Sequence, residues 1–128
     1  MRLSLIQKAL KAHDSTLKAT KMSVKAVIAY PHNPSGRFDI DYYMSTHMPL
    51  VAKHYTPFGL QKWEVLQFTA TGDGSAPAYV AQTILTWENE EQIQKAGASE
   101  AGKMLTEDIP NFSSDKPIFM IGKSAGSS

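Results

Sequence analysis

The chain contains no cysteine. That excludes a disulfide framework, a thiolate metal site and a cysteine nucleophile, and it is compatible with a reducing compartment. No apolar stretch is long enough to cross a bilayer. No G-x-G-x-x-G turn joins a strand to a helix, and there is no G-x-x-x-x-G-K-[ST] loop or G-x-S-x-G elbow. Nucleotide cofactors and serine-type hydrolysis are therefore not expected. The four histidines, His13, His32, His47 and His54, share no H-x-x-x-H or H-E-x-x-H spacing, so no metal site is expected. Strong net charge is missing too, the total being +1.

That small total hides an uneven distribution. Residues 1–22 carry Arg2, Lys8, Lys11, Lys18 and Lys21 against Asp14 alone, a net of +4, which leaves the remainder at −3. A mildly acidic body argues against nucleic-acid binding. The first 22 residues place Leu3, Ile6, Leu10 and Leu17 at helical spacing among lysines and hydroxyl residues. They read as a flexible basic extension dispensable for folding, which implies a cytoplasmic protein, or as a mitochondrial presequence. Of 128 residues, 42% are hydrophobic and 20% charged, as expected of one soluble domain with a real core. The domain is expected over residues 23–123, with a polar tail at 124–128 that should fray.

Within it, Ser23–Tyr30 is a short valine- and isoleucine-rich run closed by the turn residues 31–36, which reads as a buried strand. Asp39 is a good N-cap for a helix running to about Tyr55, with Asp41 in its first turn, where negative charge suits the dipole. Leu60–Thr71 and Ala78–Trp87 are strand-like runs around the loop Gly72–Pro77, an antiparallel hairpin. On the second run Tyr79, Ala81, Thr83, Leu85 and Trp87 share a face. Asn89 with Gln92 resembles a capping box. The glycines at 97 and 102 divide the helix that follows into pieces of about 89–97 and 99–107, Ser99 capping the second. Lys116–Gly122 is a last strand. The order β-α-β-β-α-β is the ferredoxin-like arrangement of the α+β class, a four-stranded antiparallel sheet with helices on one face. Apolar residues fall on both faces of the hairpin, so a second copy of the sheet is the expected cover and the protein is expected to be a homodimer.

The central stretch is Phe38–Val51. Helical periodicity aligns Asp39, Tyr43, His47, Leu50 and His54 along one line and Met44, Met48 and Val51 along the next. Pro49 lacks an N–H, which frees the carbonyl of Ser45 and kinks the helix. His47 thus lies on a mostly apolar face, one turn beyond Tyr43. It can serve as a neutral acid/base with Tyr43 orienting it or donating, or it can be a buried histidine satisfied by carbonyls that Pro49 frees. His54 reads as a surface residue. Trp63 and Trp87 read as core. Tyr79 and Phe112 read as pocket residues, and Asn111 either faces the cleft or, with Asp108, fixes the exit of the second helix.

Asp39, Tyr42-Tyr43 and Thr46-His47-Met48-Pro49-Leu50 resemble the signature of the EthD family, named for ethyl tert-butyl ether degradation, and Asp108-Ile109-Pro110-Asn111-Phe112 resembles its second motif. The resemblance spans Ser23 to about Lys123. It implies a dimeric α+β barrel formed sheet against sheet. It also implies a cofactor-free enzyme of oxidoreductase, isomerase or cyclase type, serving catabolism of a small hydrophobic or aromatic compound. His47 and Tyr43 would be catalytic, and Tyr79, Phe112, Asn111 and Met44 would bind substrate. Two alternatives stand beside it: a non-catalytic binder that holds a hydrophobic intermediate for a partner oxygenase, and a structural assembly protein.

Overall fold

The structure, a computed structural model, describes residues 23–128; the expectations for the basic segment 1–22 lie outside them. Four strands, β1 (Val24–Pro31), β2 (Lys62–Gln67), β3 (Tyr79–Trp87) and β4 (Ile118–Lys123), form one antiparallel sheet in the order β2-β3-β1-β4. Two short connections cannot build that order. Each outer strand is reached through a helical crossover, and this gives the ferredoxin-like βαββαβ topology. The helices are α1 (Ile40–Tyr42), continued by a π-helical turn (Tyr43–His47) into α2 (Met48–Tyr55), and then α3 (Glu90–Ala98) and α4 (Glu100–Asp108). None of the helices among the described residues is long and apolar enough to cross a membrane.

Local chemistry explains the boundaries. The Asp39 side chain accepts from the Tyr42 N–H at 3.0 Å and starts α1. Asn89 does the same for α3 through the Gln92 N–H, and Ser99 for α4 through the Gly102 N–H. Gly59, at φ +114°, closes the first helical run in the left-handed conformation that glycine adopts at least cost, and the Gln92 side chain packs where a Cβ would stand. Strand β2 stops at Gln67, earlier than its apolar pattern suggests. Asp73 ends the regular chain by accepting from the Thr71 and Ser75 hydroxyls and the Ser75 N–H, a side-chain-closed turn that competes with strand pairing.

The core lies between the helices and one sheet face. Val24, Ala26, Tyr30, Ala81, Thr83, Leu85 and Trp87 point into it from β1 and β3, meeting Tyr43, Met48, Val51, Ile93, Ala96, Leu105 and Phe112. Trp63 departs from expectation: it is 36% exposed, standing on the edge strand β2. His54 is half-buried rather than at the surface. On the opposite face of the sheet Leu66, Ile118 and Met120 are 40%, 43% and 47% exposed, beside Val27, Ala29 and Ile84, with no element of the described residues over them.

Candidate active site

Two remote stretches meet at His47. Phe38 bridges to Ser113, the Asp39 N–H donates to the Phe112 carbonyl at 2.7 Å, and the Arg37 guanidinium donates to the carbonyls of Pro110 and Asn111. This strap holds the start of the first helical run against the end of α4. The π-helical turn then sets the rotation. The Met48 N–H reaches back five residues to the Tyr43 carbonyl, so one extra residue is accommodated in the turn. As a result Tyr43, His47 and Met48 all face inward, while Met44, which a regular helix would align with Met48 and Val51, is turned to solvent. Pro49 follows at the second position of α2, where a missing N–H is tolerated.

His47 is 6% exposed. Its Nδ1–H donates to Asp108 Oδ2 at 2.8 Å. The carbonyls freed by Pro49 play no part; a carboxylate from α4 satisfies the ring instead. Asp108 Oδ1 accepts in turn from the Tyr42 hydroxyl at 2.7 Å and from Asn111 Nδ2 at 2.8 Å. An ionised carboxylate can only accept, so the network fixes the proton on Nδ1 and leaves Nε2 as a basic lone pair without a hydrogen bond among the described residues. The imidazole ring stacks on Tyr43, centroids 5.2 Å apart and planes at 18°, and leans on Phe112 at 4.6 Å.

Electrostatics follow from this packing. Burial lowers the His47 pKa below the usual 6.5, against the opposing hydrogen bond and charge of Asp108. Burial would raise Asp108, but the bonds from Asn111, His47 and Tyr42 outweigh it and hold the carboxyl below its ordinary value. Burial also pushes the Tyr43 hydroxyl up to about 12, so it stays protonated. That hydroxyl is 2.5 Å from Thr83 Oγ1.

A cavity of about 590 Å³ lies between helices and sheet, with His47, Tyr43, Met48, Thr83 and Trp87 in its wall, and opens past Pro110, Lys116 and Phe119. It has the size and apolar lining of a small-molecule site. The expected site residues divide accordingly. His47 and Tyr43 line the cavity, though Tyr43 is almost wholly buried and offers its ring to His47 while its hydroxyl is taken by Thr83. Phe112 is fully buried behind His47, and exposed Asn111 acts on Asp108. Met44 and Tyr79 are not in the wall: Met44 is rotated out by the π-helical turn, and Tyr79 lies at the start of β3, paired with Pro31 beyond a bulge. The sequence reading missed Asp108 as partner of His47 and Tyr42 as a donor to it. Their only signal was membership in the two quoted motifs. No three of His, Cys, Asp and Glu converge as a metal site among the described residues.

No family model matches the chain, and no curated protein matches it. Solved structures do. An EthD-like protein from Ralstonia eutropha JMP134 is 25% identical, with 84% of this chain and 96% of that one covered and a TM-score of 0.72. An ethyl tert-butyl ether D (EthD) family protein from Bacillus halodurans C-125 is 24% identical over 80% and 99%, with a TM-score of 0.65. SnoaB, a cofactor-independent oxygenase from Streptomyces nogalater, shares the fold at 10% identity over 82% and 95%, with a TM-score of 0.61. The two stretches that resemble the EthD motifs are the two that here meet as His47 and Asp108, and together with the match at 25% identity they relate this chain to the EthD family.

Proposed function

We propose that the protein is a cofactor-free enzyme acting on a small, apolar, ring-bearing compound, with His47 as acid/base and Asp108 as the residue that positions it. The observation that carries this reading is the Asp108–His47 pair, with its unbonded Nε2 at the wall of an apolar cavity. A neutral imidazole oriented by a half-buried carboxylate can take a proton from a carbon next to a carbonyl and return it elsewhere. The proton passes to Nε2, the electron pair remains on the substrate as an enolate, and Asp108 stabilises the imidazolium. That step is common to isomerisation, cyclisation and dehydration. It also generates the electron-rich species a cofactor-free oxygenase needs, and one protein of this fold is such an oxygenase.

The protein works as a homodimer in this proposal. Leu66, Ile118 and Met120 stand on a sheet face that only a second layer can cover. A binder that hands a hydrophobic intermediate to an oxygenase needs the cavity but not the ordered Nε2, and an assembly protein needs neither.

The test requires no natural substrate. Exchange of the activated C–H of 2-tetralone, an apolar bicyclic ketone, for deuterium in heavy water reports proton abstraction directly. Wild-type protein should accelerate it, and His47→Gln should lower the rate by about 10²-fold or more. Equal exchange by both proteins overturns the acid/base reading and favours the binder.

A further inference from the structure

The cavity is electrically one-sided. Among the described residues no carboxylate lines it, and Lys116 is the one lining side chain with a permanent charge. The site's own acid, Asp108, stands behind His47 and outside the lining. Lys116 sits in the irregular segment before β4, exposed at the cavity mouth, and it makes no hydrogen bond or ion pair within the described residues. Its sequence neighbour Asp115 is turned away, accepting from Asn33 Nδ2 at 3.1 Å and from the Ser114 hydroxyl at 3.0 Å. Pro117 follows and biases the Lys116 backbone to an extended form. Beyond it Phe119, 55% exposed, adds an apolar lip.

We propose that the cavity takes an apolar ring compound bearing one carboxylate or comparably ionised oxygen, and that Lys116 binds this anionic end at the mouth while the ring body reaches His47. This rests on the acid/base reading and names its substrate class. A cation beside low-dielectric walls attracts an anion more strongly than one in open water. An anion fixed at the mouth also decides which ring carbon faces Nε2, so Lys116 is a specificity-determining residue.

Two probes of matched shape test this: 2-naphthoate and its uncharged counterpart 2-naphthamide, titrated at pH 7.5 by naphthalene fluorescence. Chemical shifts of the His47 ring report whether each probe occupies the cavity. The expected result is that both move the His47 resonances and naphthoate binds about tenfold tighter, the scale of one charge-assisted hydrogen bond. Lys116→Met should abolish that advantage and leave naphthamide affinity unchanged; Lys116→Glu should reverse the preference. Lys116 is exposed, so neither substitution should affect folding, and a thermal melt checks this. Equal affinities with His47 shifted, or an advantage that survives in Lys116→Met, overturn the role of Lys116 while the cavity reading stands. If neither probe moves His47, the cavity reading falls and this inference falls with it.

Discussion

The proposed chemistry depends on one proton being on Nδ1 of His47, where its bond to Asp108 holds it. Asp108→Asn preserves shape but removes the charge and allows an amide N–H to face the ring, which favours the other tautomer. The expected loss of base-catalysed exchange is about 10²-fold or more. The ¹⁵N shifts of the His47 ring should show the proton moving from Nδ1 to Nε2, which a merely structural role for Asp108 does not predict. Acid sensitivity follows from the same pair. His47 has a lowered pKa when folded, so the unfolded chain binds its proton more readily, and stability falls as pH drops from about 6.5 through the folded value. Asp108 is also lowered; its contribution is present above the usual 3.8 and is lost as pH falls through its folded value. Urea midpoints should therefore decrease from pH 8 to pH 5, and His47→Gln should flatten that first step. An equally steep dependence in the variant would refute the assignment to His47. Of this site, the sequence made His47 and Tyr43 legible through helical spacing. Asp108 was not, since 61 residues separate it from His47 and only the strap of Arg37, Phe38 and Asp39 brings them together.

At the scale of elements, periodicity and capping residues were sufficient for the order βαββαβ, for the break between α3 and α4, and for the caps Asp39, Asn89 and Ser99. They failed where a helix departs from 3.6 residues per turn. The π-helical turn at Tyr43–His47 moves Met44 out of the apolar line that simple spacing assigns it, and nothing in composition announces such a turn except Pro49 nearby. The α3–α4 elbow shows how tight these joins are. A Cβ on Gly102 would stand 2.5 Å from the carbonyl oxygens of Ala96 and Gly97, backbone atoms that cannot yield alone. Gly102→Ala should thus destabilise the fold by about 1–3 kcal/mol despite the better helix propensity of alanine. A thermal or urea melt checks it, and an unchanged or raised stability would mean that the elbow is free to open.

For the whole molecule, the hairpin's two-sided apolar pattern pointed to a covered sheet, and no element among the described residues covers that face. Sheet-to-sheet pairing is the expected solution in solution. Met120→Glu would place a charge in the middle of the joined faces, so sedimentation at micromolar concentration should show a dimer for the wild type and a monomer for the variant. A wild-type monomer would remove the dimer from the proposal. The cavity and its histidine lie on the helix side of the sheet, away from that joint, so the site's chemistry can be read on its own. The most direct reading is the pH profile of 2-tetralone exchange, set beside an NMR titration of the His47 ring in the same protein. If neutral His47 is the base, the rate should rise with pH along a single curve whose midpoint matches the ring pKa, below 6.5, and His47→Gln should lack that curve. A rate that is flat across the His47 titration, or a midpoint unrelated to it, would contradict the assignment of His47 as the acid/base of this cavity.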